Sequence, residues 1–125
     1  MSVDFDIQAN ELTSHTTLEA KVLTTCLIGT ADTAVRVELD RFIKALHKTA
    51  TEEKVSQVVV NLRGVDLMNS SCFKSFVVWL GMLDEAASDQ KYRVRFLADN
   101  ERHWQSRSLA VLACFAADLI DVEGA

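Results

Sequence analysis

Two hydroxyls and a thiol stand in one short stretch, Asn69-Ser70-Ser71-Cys72, directly ahead of an apolar run that opens with Phe73. Asn69 or Ser70 is a good N-cap for a helix starting there. A serine at such a terminus meets free backbone N–H groups and the positive end of the helix dipole, so a phosphate can be placed on it without unfolding the helix. Phosphorylation of Ser70, or alternatively of Ser71, adds about 1.5 to 2 negative charges, and charge inserted into a contact surface drives a partner off. The chemistry these residues offer is therefore a charge switch, although the same residues also read as an ordinary helix cap. Cys72 falls in the first helical turn, where the dipole favours a reactive thiolate. A plain buried thiol is the alternative reading.

Little else in the chain carries chemistry. His15, His47 and His103 are scattered, form no metal-ligand pair and read as surface residues. The four glycines make no phosphate-binding loop, dinucleotide fingerprint or nucleophile elbow. Asp4 and Asp6 are explained by alternation on a strand. No enzyme, metal or cofactor is expected. Cys26, Cys72 and Cys114 are widely spaced and odd in number, which predicts free, mostly buried thiols. A net charge of -5 opposes nucleic acid, and Arg93, Arg95, Arg102 and Arg107, the nearest thing to a basic patch, read as solvated positions. The N-terminus is acidic where an export signal is basic, and the densest apolar run, Phe76 to Leu83, is far shorter than the roughly 20 residues that cross a bilayer. A cytoplasmic protein without membrane insertion, a monomer or weak dimer, is expected.

The elements that must position the serines follow from hydrophobic spacing. With 125 residues, no proline and no repeat, the chain reads as a single domain over 1–125. Phe5 and Ile7 alternate with polar neighbours, predicting a first strand, and Leu18 to Ile28 predicts a second that ends at Gly29-Thr30. Asp32 or Thr33 caps a helix from Thr33 to Lys48, with Val37, Phe42, Ile43 and Leu46 at helical spacing and Thr49-Ala50-Thr51 as its break. Val55 to Leu62 reads as the central strand, turned by Arg63-Gly64. A helix over Ser70 to Ala87, a strand over Tyr92 to Ala98, a helix over Glu101 to Phe115 and a strand over Leu119 to Val122 complete the chain. The alternation predicts an α/β domain with a mostly parallel sheet of four to five strands and three to four helices, mainly on one face.

On a helical wheel, Phe73, Phe76, Val77, Leu80, Leu83 and Ala87 share the face expected to pack on the sheet. Val78, Trp79 and Met82 fall on a flank beside Ser75, more apolar than a free surface requires. That flank, with Ser70 and Asp32, is the expected partner-binding surface.

The segment from Val58 to Leu80, an apolar strand running into Asn69-Ser70-Ser71-Cys72 at a helix start, resembles the signature of STAS domains. In that family the corresponding motif is Asp-Ser-Ser-Gly, so Asn69 and Cys72 are departures. Gly29-Thr30-Ala31-Asp32 is similar to the family's Gly-x-x-Asp turn. The resemblance implies a STAS-like single domain acting as an anti-sigma factor antagonist, without enzymatic activity. It implies as partners an anti-sigma factor serine kinase, which binds the unphosphorylated form and modifies Ser70, and a phosphoserine phosphatase. The alternative it leaves is a STAS subunit of a transporter or larger signalling complex, without a functional switch. A small enzyme with an unrecognised site is a third reading.

Overall fold

The computed structural model describes residues 3–124; Met1, Ser2 and Ala125, included in the single-domain reading, lie outside them. In chain order the elements are β1 (Leu12–Glu19), β2 (Val22–Ala31), a 3₁₀ turn (Thr33–Val35), α1 (Arg36–Glu52), β3 (Gln57–Met68), α2 (Ser70–Glu85), a 3₁₀ turn (Ser88–Gln90), β4 (Arg93–Ala98), α3 (His103–Phe115) and β5 (Ile120–Gly124). The five strands form one sheet in the order β1-β2-β3-β4-β5, with β1 antiparallel to β2 and every other pair parallel. This is the α/β, mostly parallel architecture expected from the alternation.

One face of the sheet is covered. Leu23 and Leu27, Val58, Val60 and Leu62, and Val94 and Phe96 are buried among Leu39, Phe42, Phe76, Leu80, Leu109 and Leu112 from the three helices. The alternate residues Thr24, Val59 and Arg95 line the opposite face and are only partly buried. At the β4–β5 edge this outer face carries ion pairs, Arg93 with Asp121 at 2.9 Å and Arg95 with Glu123, and Arg102 near the sheet end holds Asp66 at 2.7 Å. Three of the four arginines of the apparent basic patch are thus neutralised.

Several boundaries differ from the sequence reading, each for a local reason. Phe5 and Ile7 do not form a strand; their segment runs along the outer edge of β1, with Phe5 packed on Phe42 at 5.7 Å between ring centroids. Asp6 takes the place of a main-chain carbonyl there. Its carboxylate accepts from the Thr16 N–H at 3.1 Å and from the Ser14 and Thr16 hydroxyls at 2.8 and 2.7 Å, closing an edge that would otherwise be open to another chain. Leu18 and Glu19 belong to β1, which is joined to β2 by the two-residue turn Ala20-Lys21, with φ of 52° and 65°. That is a type I′ hairpin geometry made without the usual Asn-Gly.

Helix α1 runs past Thr49-Ala50-Thr51 to Glu52 and ends in a Schellman motif, in which the N–H of Val55 donates to Ala50 and that of Lys54 to Thr51, at 3.1 and 3.3 Å. Lys54, at φ 51°, fills the left-handed position where glycine is usual. Val37 is 79% exposed and Leu39 takes its expected place in the core.

Strands β2 and β3 both continue past their expected ends. Twelve residues of β3 are set against ten of β2, through register breaks between Cys26 and Ile28 and between Gly29 and Thr30. Gly29 has φ 120°, and a Cβ there would collide with the Glu11 carbonyl. Gly64 is part of β3 rather than a turn, where a Cβ would sit 3.3 Å from the Leu27 carbonyl. The glycines that look like strand breakers sit inside the strands beside the bulges, whose extra residues are on β3.

His47 is not a free surface residue: its Nδ1 lies 2.7 Å from the Tyr92 hydroxyl, which also accepts from Trp79 Nε1 at 2.7 Å. Of the cysteines only Cys72 is buried; Cys26 is intermediate and Cys114 exposed, against the expectation of mostly buried thiols.

Candidate functional site

The two register breaks lengthen β3 so that its last residues, Leu67 and Met68, pair with Thr30 and Ala31 and deliver Asn69 beside the turn that starts α1. The Asn69 N–H donates to the Ala31 carbonyl at 2.7 Å. Asn69 is the N-cap of α2, extended at φ -65° and ψ 148°, and its Oδ1 accepts from the Ser71 N–H at 2.7 Å. Its Nδ2 donates to Thr33 Oγ1 at 3.2 Å, a bond that uses the amide in place of the carboxylate. Asp32 in turn caps the 3₁₀ turn through the Ala34 N–H at 3.0 Å. The starts of α1 and α2 are therefore laced together by side chains that the sequence singled out as caps.

The two serines are not equivalent. The Ser71 hydroxyl donates to Asn69 Oδ1 at 2.5 Å and is half-buried. Ser70, the first residue of α2, is exposed, and its hydroxyl makes no bond among the described residues. Only Ser70 offers a free nucleophilic oxygen to an incoming enzyme.

Cys72 points inward. It is fully buried, its Sγ donates to the Asp32 carbonyl at 3.1 Å, and it does not crowd the outer surface. Burial pushes its thiol pKa up, and the nearby Asp32 and Asp40 carboxylates add to the shift. A thiolate is disfavoured on both counts, so the structure supports the buried-thiol reading over the redox one.

Behind the serines, α3 fixes the bulged part of β3. Gln105 is fully buried; its Nε2 donates to the Leu62 and Val65 carbonyls at 2.7 and 3.1 Å, and its Oε1 accepts from the Asp99 N–H at 2.8 Å. Arg102 Nε adds a bond to the Arg63 carbonyl at 3.2 Å. In this bulged stretch the carbonyls of Leu62, Arg63 and Val65 are satisfied by these two side chains. Sequence reasoning missed both, because a glutamine in an apolar helical stripe announces no partner.

The expected partner-binding residues divide. Val78 is 59% exposed on α2, Met82 is half-buried, and both line a groove of about 170 Å³ between α1 and α2, with Arg36, Asp40, Ile43, Lys44, Lys74 and Ser75. Ser75 is buried and its hydroxyl donates to Asp40, which also pairs with Arg36 at 3.8 Å. Asp32 is occupied as a cap. Trp79 is wholly buried, not on the outer flank, and the inward face of α2 is Cys72, Ser75, Phe76, Trp79, Leu80 and Leu83. Phe73 and Val77 are only partly buried and Ala87 is exposed beyond the helix. The sequence missed Leu67 and Val37, 55% and 79% exposed, which leave apolar surface near Ser70 and at the start of α1.

No helix among the described residues is long and apolar enough to cross a membrane, and no group of His, Cys, Asp and Glu among them is arranged to hold a metal ion.

No protein-family model matches this sequence. No curated protein matches it either. Solved structures do match: the crystal structure of an anti-sigma factor antagonist from Mycobacterium paratuberculosis superimposes with a TM-score of 0.65 at 14% identity, over 93% of this chain and 89% of that one. The chain has a STAS-like fold, as the resemblance in its middle segment implies.

Proposed function

We propose that this STAS-like domain is a non-enzymatic, phospho-switchable regulator of the anti-sigma factor antagonist type, acting in the cytoplasm. Its unphosphorylated form binds an anti-sigma factor with serine kinase activity, freeing a sigma factor for transcription. The kinase modifies Ser70, the modified form lets go, and a phosphoserine phosphatase resets it. The observation that carries this reading is the contrast within the motif: Ser70 is exposed with an unengaged hydroxyl, whereas that of Ser71 is held by Asn69. A phosphate on Ser70 meets the free N–H groups of the first turn of α2, so the helix survives modification. Leu67, just before that serine at the end of β3, and Val78, further along α2, leave apolar side chains exposed, and a phosphate of about two negative charges cannot be buried against a partner there without heavy desolvation cost.

Intact-mass and peptide mass spectrometry of the protein from its native cells tests this, comparing the wild type with Ser70→Ala and Ser71→Ala. A phosphate lost only in Ser70→Ala is the expected result. A modification that follows Ser71 would move the switch to that residue, and absence of any phosphate under every growth condition would replace the switch with a constitutive binding domain, such as a subunit of a transporter or larger signalling complex.

A further inference from the structure

The groove between α1 and α2 combines an apolar lining with unbalanced charge. Ile43, Val78 and Met82 supply the apolar part; Arg36, Asp40, Lys44 and Lys74 supply the charged rim. Asp40 is already committed to Arg36 and to the Ser75 hydroxyl. Lys44 and Lys74 are exposed and form no ion pair among the described residues. One faces the groove from each helix, so it is locally cationic on a protein whose net charge is -5.

Arg36, Asp40 and Lys44 follow one another at four-residue spacing on α1, as Lys74, Val78 and Met82 do on α2, so the groove is about two turns or roughly 12 Å long. Its length suits a short peptide segment rather than a nucleic acid track, which needs a longer series of cations. An aliphatic side chain seated between Val78 and Met82, with carboxylates reaching Lys44 and Lys74, would bury apolar area and complete both charges.

We infer that this groove seats an acidic, amphipathic segment of the partner protein, with one aliphatic anchor between two carboxylates. This deepens the proposed function by stating the chemistry of the partner's contact, and it rests on the reading of α2 as a partner-facing helix. It separates two parts of one surface: Ser70 controls release, and the groove supplies specificity.

A photo-crosslinking amino acid placed at Val78 of the full chain in its native cells tests the inference, with the same group at the exposed Val111 of α3 as the control. The expected result is an adduct at position 78 only, on a peptide rich in Asp and Glu around an aliphatic residue. The double variant Lys44→Glu with Lys74→Glu should keep its urea midpoint and weaken binding of that purified partner roughly ten- to hundredfold, since two favourable pairs become repulsive. Exchanging the partner's carboxylates for lysines should restore it. A cross-linked peptide without acidic residues, or undiminished binding by the charge-reversed variant, overturns the inference. If a partner co-purifies and responds to Ser70 but never cross-links at position 78, the groove is wrong and the switch stands. If nothing binds the chain, both fall.

Discussion

The two ends of the sheet are closed by different means. Where β2, β3 and β4 finish and all three helices begin, irregular backbone is met by side chains: Asn69 and Asp32 cap the turns, and Gln105 and Arg102 satisfy the carbonyls of the β3 bulge. At the opposite end the turns depend on backbone conformation, with Ala20, Lys21 and Lys54 held at φ of 52°, 65° and 51°, and exposed side-chain bonds from Lys21 to the Glu53 carbonyl and from Ser56 to the Lys21 carbonyl only supplement them. A side-chain closure leaves residues free to vary around a fixed frame, whereas a backbone closure stores strain in the turn residues themselves. The first kind of end can host a switch; the second can only be made more or less stable. Substitutions at the two ends should therefore have different signs.

The largest effect tests which side of α2 faces inward. Trp79→Ala should cost about 3 to 5 kcal/mol, read as a fall in the urea midpoint, because it empties the largest fully buried side chain and removes the indole donor to the Tyr92 hydroxyl. A variant of wild-type stability that loses partner binding would return Trp79 to the surface and rotate the whole contact face. At the serine end, Gln105→Ala should cost about 2 to 3 kcal/mol, since the Leu62 and Val65 carbonyls and the Asp99 N–H lose their partner together. Hydrogen exchange should then quicken at Asn69 and Ser71 more than at Val55 and Ser56. Equal quickening at both ends would mean that the bulge is held by the sheet and not by α3.

The opposite end should respond in the other direction. Lys54→Gly should raise stability by about 1 kcal/mol, since the Schellman position at φ 51° suits glycine and the lysine side chain makes no bond there. A loss instead would show that the flexibility glycine adds to the unfolded chain outweighs the relieved strain.

The same contrast explains what was legible in the sequence. The α/β order, the parallel core strands and the cap at Asn69 follow from period and capping chemistry, because those elements use the residues the rules expect. The hairpin and the end of α1 do not, because Ala20, Lys21 and Lys54 stand where the rules look for Gly or Asn, and Gly29 and Gly64 sit inside strands beside the bulges. In α2 almost every position from Phe76 to Leu83 is apolar, so a wheel alone could not choose the inward stripe. Tertiary chemistry chose it: an indole N–H needs an acceptor when buried, and Tyr92, just before β4, supplies one. The place of Ser70 at the start of a helix was legible because capping is local; Lys44 and Lys74 were not, because a groove exists only once two helices are side by side.

The smallest effect concerns the hydroxyl relay at the strained end, and its sign is fixed by geometry. Trp79 Nε1 donates to the Tyr92 oxygen, so the Tyr92 proton is directed to His47 Nδ1, which accepts only when the imidazole is neutral. Burial lowers the His47 pKa below its ordinary 6.5. The unfolded chain therefore takes up a proton first as pH falls, and stability that is full above 6.5 declines from there down to the lowered folded value, then levels off. Urea midpoints at pH 7.5 and 5.5 should fall for the wild type, and fall less for His47→Gln, which keeps an acceptor for Tyr92 without a titrating ring. Equal falls in both proteins would place the proton uptake elsewhere. The proposed partner binding at Ser70 should be indifferent to this titration, since the relay ties α1 and α2 to the residue before β4, at the end of the sheet remote from Ser70.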